Sequence, residues 1–451
     1  MFKSNLFPHQ IEMLKFLEEA TPEGGGCLFA QMGLGKTRTV IAYIDKLFFN
    51  QVVDKVLVIT PKSILKNWAY EIEESSDLTY TILTDKKPNL DAQIQLINYD
   101  MVFRSLVFLK DQHYGLMVLD ESTYVKNRWS KRTKSVLELS KSIRLKVLMT
   151  GTPITQSVED IFSQYLILDG GKTFGYSLKA FREKYMYNVS RNPRIQIWKD
   201  KKSMLSEIKE KMYKRAITPD ASKVQLPEKR KKLITVNLTH DQSHVYNELF
   251  MNDIATLDMA QLTAKEIITK YIKFRQICSG FFLDDSGNIV DFEVNPKLNE
   301  LLAQIEQLRG QRIVIWRNFV HEGELIKRNI KDVIVFDDNP FEQIQKFNST
   351  PGAIGLASIS QIQYGLNIYA DVAIYFGNTF SFSSREQSEA RHIRLNSVNK
   401  SVLYLDIIAE RTIEETIFKF QRNRKDISDN LLKKAKMVLY GESLDDNLLP
   451  D

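Results

Sequence analysis

The sequence predicts an α/β fold: two doubly wound parallel-sheet domains with a mainly helical insertion between them. Three observations predict it. Early in the chain, short continuous apolar runs alternate with amphipathic segments of helical period, the pattern of strands buried on both faces and crossed by helices. The alternation lapses from Val158 to about Asn295, where long charge-rich segments dominate, and resumes at Arg312. In the first α/β region each polar cluster follows directly on an apolar run. That is the carboxyl end of an expected strand, where open parallel sheets gather their ligands. The resulting domains are 1–165, 166–295 and 296–440, a division that 451 residues allow.

Taken in order, Leu6-Phe7-Pro8-His9-Gln10 precedes a helix from Ile11 to Leu17, and Cys27–Ala30 reads as a strand. Gln31-Met32-Gly33-Leu34-Gly35-Lys36-Thr37 follows and opens an amphipathic helix, Arg38 to Phe49. Strand, glycine-rich turn and helix together make a phosphate-binding loop. Gly33 and Gly35 let successive N–H groups turn inward, and the helix adds its positive end. Lys36 then reaches the β/γ-phosphates and the Thr37 hydroxyl ligates Mg²⁺. Ala30 stands where the usual pattern has its first Gly, so an ordinary strand-to-helix turn is the alternative reading.

Val56–Ile59 is the next strand, ending in Thr60-Pro61-Lys62 and leading to a helix around Leu65, Trp68 and Ile72. Tyr80–Leu83, Ile94–Ile97, Leu116–Leu119 and Lys146–Met149 continue the strands. The last two run into Asp120-Glu121 and Thr150-Gly151-Thr152-Pro153. ATP hydrolysis on a phosphate loop needs one carboxylate to hold Mg²⁺ and another to polarise the attacking water. Asp120 suits the first role and Glu121 the second; a surface acidic pair is the alternative.

In the middle stretch, Lys199–Arg215 and Gln242–Ile277 read as helical, and Lys229-Arg230-Lys231-Lys232 as a solvated charge run or a phosphate contact. Farther on, Ile313–Trp316, Val333–Phe336, Ile354–Ala357, Val372–Phe376 and Val402–Ile408 read as parallel strands. Helices are expected at Phe341–Phe347, Glu386–Ile393 and from Thr412 to about Ile427. Gln387, Arg391 and Arg394 share one helical face, as surface ion-pair partners or as arginine fingers.

Composition is that of a globular protein, 43% hydrophobic and 26% charged. The two cysteines, Cys27 and Cys278, sit in apolar settings and read as buried thiols rather than a zinc site or disulfide. No apolar run approaches the roughly 20 residues of a membrane span, and no leader is recognisable, so no membrane association and a cytoplasmic setting are expected. The net charge of +6 suits a polyanionic partner only weakly. The acidic tail, Glu442 to Asp451, is expected to fray.

In order and spacing these motifs resemble superfamily 2 helicases and translocases of the Swi/Snf-like branch. Phe7-Pro8-His9-Gln10 is similar to the adenine-reading element, with Gln10 as the base contact. Met32–Thr37 resembles motif I, and Thr60-Pro61-Lys62 with Asn67-Trp68 and Glu71 resembles motif Ia. Asn98-Tyr99 resembles a DNA-facing element. Asp120-Glu121-Ser122-Thr123 resembles motif II, and Thr150–Ile154 motif III. Leu226-Pro227 with Lys229, and Arg275–Cys278, resemble branch-specific stretches. Ile313–Trp316, Gly365-Leu366-Asn367 and Gln387–Arg394 resemble motifs IV, V and VI.

The resemblance runs from residue 6 to about 418. It implies two RecA-like domains with ATP and Mg²⁺ as cofactors. Lys36, Asp120, Glu121, Gln387, Arg391 and Arg394 would be catalytic. Gln10, the loop from Met32 to Thr37 and Gly365 would bind nucleotide, with Thr37 and Asp120 on the metal. Thr60, Lys62, Asn98, Tyr99, Thr150, Gly151, Arg317 and Ser358 would face nucleic acid. It further implies a compact phage-encoded DNA helicase, monomeric, in the cytoplasm of a bacterial host. Forked, branched or duplex DNA would be its partner, with other replication or recombination proteins as further ones, and branch migration its task. A duplex translocase that leaves strands paired, an ATP-dependent DNA clamp and a small-molecule phosphoryl-transfer enzyme are the rivals. Three departures stand out: Ala30-Gln31 replace the usual acids before motif I, Thr123 replaces the His of motif II, and Asn396-Ser397 replace the closing Gly-Gln of motif VI. With Thr123 in place of the His that couples the nucleotide site to motifs III and VI, the resemblance leaves that coupling route open; a Thr hydroxyl can still hydrogen-bond Gln387, with shorter reach.

Overall fold

The computed structural model describes residues 2–31, 33–155, 157–190, 196–219, 227–257, 264–284, 286–337, 340–359, 367–393 and 400–422. Met32, Gly365 and Arg394, named above as site residues, lie outside this set, as do Leu226, Leu366, Asn396, Ser397 and the acidic tail. The chain divides into two compact units, Met1–Gln225 and Leu226–Asp451. The stretch 166–295 is therefore shared between the two units.

The first unit carries β1 (Gly25–Phe29), β2 (Val56–Thr60), β3 (Tyr80–Ile82), β4 (Ile94–Asn98), β5 (Leu116–Asp120) and β6 (Leu145–Thr150). A separate antiparallel hairpin, β7 (Met186–Asn188) and β8 (Trp198–Asp200), precedes the short β9 (Ala216–Ile217). The main sheet runs β3-β4-β2-β5-β6-β1-β9, and every pairing in it is parallel. Side chains alternate across a strand, so Cys27 and Phe29 enter one hydrophobic cluster while Leu28 and Ala30 enter the other. Both clusters are fully covered by helices, which is why these strands read as continuous apolar runs rather than alternating ones. Gly25 and Gly26 extend β1 two residues before the apolar run begins.

The second unit begins with β10 (Glu228–Val236), followed by an antiparallel hairpin of β11 (Phe281–Leu283) and β12 (Ile289–Asp291). Then come β13 (Ile313–Arg317), β14 (Ile334–Val335), β15 (Ile354–Ser358), β16 (Val372–Tyr375) and β17 (Ser401–Ala409). Its main sheet, β10-β17-β16-β13-β15-β14, is also parallel throughout. Val314 and Trp316 pack on one side, Ile313 and Ile315 on the other. The two parallel sheets, each covered on both faces, match the expected doubly wound α/β class.

The basic knot Lys229–Lys232 belongs to strand β10, which pairs residue by residue with β17. The sequence alone reads it as a charge run within the mainly helical insertion; its charges hide the strand, because an edge strand with little apolar burial has no continuous hydrophobic signal. Helices occupy Pro8–Ala20, Lys36–Phe49, Leu205–Tyr213, His240–Leu257, Ala264–Cys278, Phe382–Ala390 and Ile413–Arg422, each overlapping an expected span; Lys199 and Asp200, at the start of the helical reading Lys199–Arg215, belong instead to β8. Among the described residues, no helix is long and apolar enough to cross a membrane.

Candidate functional site

The carboxyl edge of the first sheet gathers the polar clusters. After β1 the chain turns through Gly33 (φ 90°) and Gly35 (φ 70°), both left-handed, and enters helix Lys36–Phe49. A Cβ on Gly35 would lie 2.0 Å from Gln10 Nε2, so the Gln10 side chain packs directly on the loop. Gln10 Nε2 donates to the Gly35 carbonyl (3.3 Å), and its Oε1 accepts from the Phe7 N–H (2.9 Å). The His9 ring bonds the Leu34 carbonyl through Nε2 (3.1 Å). The Phe7–Gln10 element thus buttresses the phosphate loop. Lys36 Nζ donates to the carbonyls of Ala30 (2.6 Å) and Gln31 (3.3 Å).

Asp120 ends β5 and is 8% exposed. Its Oδ2 accepts from the Trp68 indole N–H (2.8 Å) and the Thr60 hydroxyl (3.3 Å). Burial pushes its carboxyl up from the ordinary value; the Trp68 bond and the nearby Lys36 charge pull the other way, and Glu121 adds to the rise. Glu121 adopts a left-handed backbone (φ 55°, ψ 59°), a conformation that costs a non-glycine residue about 1–3 kcal/mol and marks sites where geometry is imposed. Its Oε1 accepts from two hydroxyls, Thr123 and Thr150, each at 2.9 Å. Within the first unit the Thr123 hydroxyl donates to Glu121.

Behind the acids, Ser122 donates to Gln164 Oε1 (2.7 Å), and Gln164 Nε2 donates to the Pro153 carbonyl (2.9 Å), tying the segment after β5 to the one after β6. Sequence reading missed Gln164, which sits on an apolar helix with nothing to set it apart.

Could this edge hold Mg²⁺? Among the described residues, neither the Thr37 hydroxyl nor Asp120 Oδ1 makes a hydrogen bond, and Glu121 Oε2 is likewise uncommitted. Those oxygens fit a hard divalent cation and an attacking water.

Most residues expected to face nucleic acid are inside the protein. Thr60, Tyr99 and Thr150 are 0–1% exposed, and Asn98, Arg317 and Ser358 are buried as well. Thr60 and Thr150 serve the two acids, and the Tyr99 hydroxyl donates to the Asp120 carbonyl (2.9 Å). Asn98 Oδ1 accepts from the N–H groups of Asp100 and Met101, capping the helix Tyr99–Arg104. Arg317 pairs with Asp337. Strand ends supply inward-facing polar side chains as readily as outward ones, and spacing does not tell them apart. Lys62 is exposed and Gly151 half-buried, so those two remain open to a ligand.

In the second unit, Gln387 lies on helix Phe382–Ala390, and Arg391 caps its end, its carbonyl accepting from the Ile368 N–H (3.1 Å). A buried charge network, missed in the sequence, fixes this helix. Arg385 contacts Asp406 through Nη1 (2.5 Å) and Nη2 (2.9 Å), Glu389 through Nε (3.0 Å), and the face of Tyr375. Lys229 and Lys231 of β10 reach Glu389 at 3.2 and 3.0 Å. Burial pushes the Glu389 carboxyl up, but Arg385, Lys231 and Lys229 outweigh it and hold the group at about 2. Next to Arg391, His392 accepts the Trp316 indole N–H at Nε2 (3.2 Å), leaving Nδ1–H for the Ile368 carbonyl (3.1 Å).

Comparison with known proteins places these residues in a family. A family profile for the SNF2-related domain matches residues 9–282. An uncharacterized ATP-dependent helicase of Mycoplasma genitalium is 26% identical over 450 residues, covering 94% of this chain and 42% of that protein. A CHD3-type chromatin-remodeling factor of Arabidopsis thaliana is 24% identical over 504 residues, covering 98% and 40%. The chain thus spans about two fifths of these relatives' length. A solved SWI2/SNF2 ATPase core of Sulfolobus solfataricus in complex with dsDNA shares 24% identity, with a TM-score of 0.48, covering 97% of this chain and 95% of that one. The family match takes in the phosphate loop, both acids and Thr150, over more than half the sequence: the chain belongs to the SNF2-related domain family.

Proposed function

We propose that this chain is a DNA-stimulated ATP hydrolase that converts turnover into movement on DNA, acting on forked or branched substrates. The enzyme class follows from the family: the chain is an ATP hydrolase. The observation that carries the mechanism is the set of uncommitted oxygens on Thr37, Asp120 and Glu121, at the same sheet edge as Lys36. Lys36 would exchange the Ala30 and Gln31 carbonyls for phosphate oxygens. Thr37 and Asp120 would hold Mg²⁺, which supplies charge neutralisation at the phosphates when bound. Glu121, pinned at Oε1 by Thr123 and Thr150, would present Oε2 to the attacking water. The finger role for Arg391 is part of the same proposal. The relatives named helicases and chromatin-remodeling factors support a nucleic-acid motor.

The test is ATP turnover with no nucleic acid, with single-stranded DNA, with duplex and with forked or four-way DNA. Strongest stimulation by branched DNA supports the proposal. Equal stimulation by plain duplex would favour translocation without strand separation, and no stimulation would overturn the motor. Lys36→Ala should abolish turnover under every condition.

A further inference from the structure

We propose that a basic cleft at the amino edge of the first sheet, centred on Arg144, Lys146 and Lys172 with Tyr176 at its rim, binds single-stranded nucleic acid. The cleft encloses about 640 Å³, within the range of ligand sites, and also takes in Arg128 and Asp169. It lies where Gly24 precedes β1 and Arg144 precedes β6, at the opposite strand ends from the phosphate loop. Five strand residues, roughly 16 Å, separate the two edges. The site therefore goes beyond the ATP-driven motor and does not depend on it.

Charge bookkeeping within the cleft favours a polyanion. Its acids are engaged by protein. Asp169 Oδ1 accepts the N–H groups of Gly171 and Lys172 (both 3.0 Å), and its Oδ2 accepts from Thr173 N–H (3.1 Å) and hydroxyl (2.5 Å). Glu23 pairs with Arg215 (3.4 Å), and Lys141 with Glu138 (2.6 Å). Among the described residues, Arg128, Arg144, Lys146 and Lys172 make no side-chain hydrogen bond or ion pair. Lys146 is half-buried on β6; burial lowers its pKa, the Asp169 carboxylate offsets part of that, and the Lys172 and Arg215 charges lower it again, so an incoming phosphate would add a second counter-charge beside Asp169. Beside these cations stands Tyr176, 76% exposed. A Cβ on Gly171 (φ +89°) would lie 2.9 Å from the Tyr176 ring, so the ring rests against the bare backbone and keeps its outer side open. Cations flanking an open aromatic ring are the elements of a single-strand site: phosphates on the charges, a base on the ring.

The test uses the full chain, a fluorescein-labelled octathymidylate carrying one 5-iodouracil, and saturating unlabelled duplex to occupy any duplex path. Binding should persist under duplex, and the ultraviolet crosslink should map to the peptide containing Tyr176. Arg144→Glu with Lys172→Glu should weaken binding at least ten-fold. The same pair should flatten the salt dependence of log K by about 1.4, two contacts at roughly 0.7 each. Tyr176→Ala should weaken the octamer but not an abasic octamer. Both charge reversals are on exposed side chains, so circular dichroism and unstimulated ATP turnover should stay unchanged. Crosslinks confined to other peptides, or unaltered octamer affinity in the charge-reversal variant, would overturn the site. The crosslink map on unsubstituted protein stands even if that variant misfolds. ATP stimulation by branched DNA reads the motor proposal separately.

Discussion

At the scale of single residues, the acid pair is held by neighbours for which the family resemblance implies other roles. Thr123 and Thr150 both donate to one oxygen of Glu121, whose left-handed backbone already restricts where its carboxylate lies. Removing one of the two hydroxyls with Thr123→Val should lower kcat about five-fold, the worth of roughly 1 kcal/mol for one hydrogen bond, with KM little changed. Thr123→Ser should restore it, and steady-state ATPase kinetics decide the matter. Asp120 works under the opposite tension, raised by burial and partly relieved by Trp68. Because the folded pKa lies above the ordinary 3.8, ionising Asp120 costs stability, and that cost develops as pH rises from 3.8 through the raised value. Trp68→Phe removes a donor to the charged form. The acid limb of the pH–kcat profile should therefore move to higher pH, whereas an unmoved limb would mean the indole bond does not tune the acid.

Elements, rather than residues, decide where the second unit's candidate helix, Phe382–Ala390, sits. Helix Phe382–Ala390 shows little apolar face, and its position is fixed by Arg385 on Asp406 and by Glu389 on Arg385 and two lysines of β10. Arg385→Leu leaves Asp406 charged and buried without its partner, which should cost about 3–5 kcal/mol of unfolding free energy in denaturant titration. Glu389 gives the pH signature. Its folded pKa is depressed from 4.5 to about 2, so its contribution is complete above 4.5 and lost as pH falls toward 2. Acid titration of stability in Glu389→Gln should lack that component. This network was not legible in the sequence. Asp406 sits inside the apolar run Val402–Ile408, and Lys229 and Lys231 look like a solvated charge run until β10 pairs with β17.

For the whole molecule, two units of the same doubly wound class carry different parts of the candidate machinery: the phosphate loop and acids in one, Gln387 and Arg391 in the other. If Arg391 serves hydrolysis, Arg391→Ala should keep nucleotide affinity within about two-fold while lowering DNA-stimulated kcat by about 10³, the low end for an arginine finger. Equilibrium binding of a fluorescent ATP analogue, run beside the turnover assay, separates the two effects. An unchanged kcat would remove Arg391 from the mechanism.

The sequence by itself determined the apolar strands β1 to β6 and β13 to β17, the phosphate-loop pattern and the acids after β5. Buried parallel strands must be continuous apolar runs, and a phosphate loop must have glycines at fixed places before its lysine. Those requirements are local and leave local marks. Only the tertiary structure decided which way each polar side chain at a strand end points. Thr60, Tyr99 and Thr150 turn inward to serve Asp120 and Glu121, and Thr123 turns to Glu121. The same holds for the charge network around Arg385 and for the cations around Lys146 that have no side-chain partner among the described residues. Pairing and burial are contacts between residues far apart in the chain, and one-dimensional spacing carries no record of them.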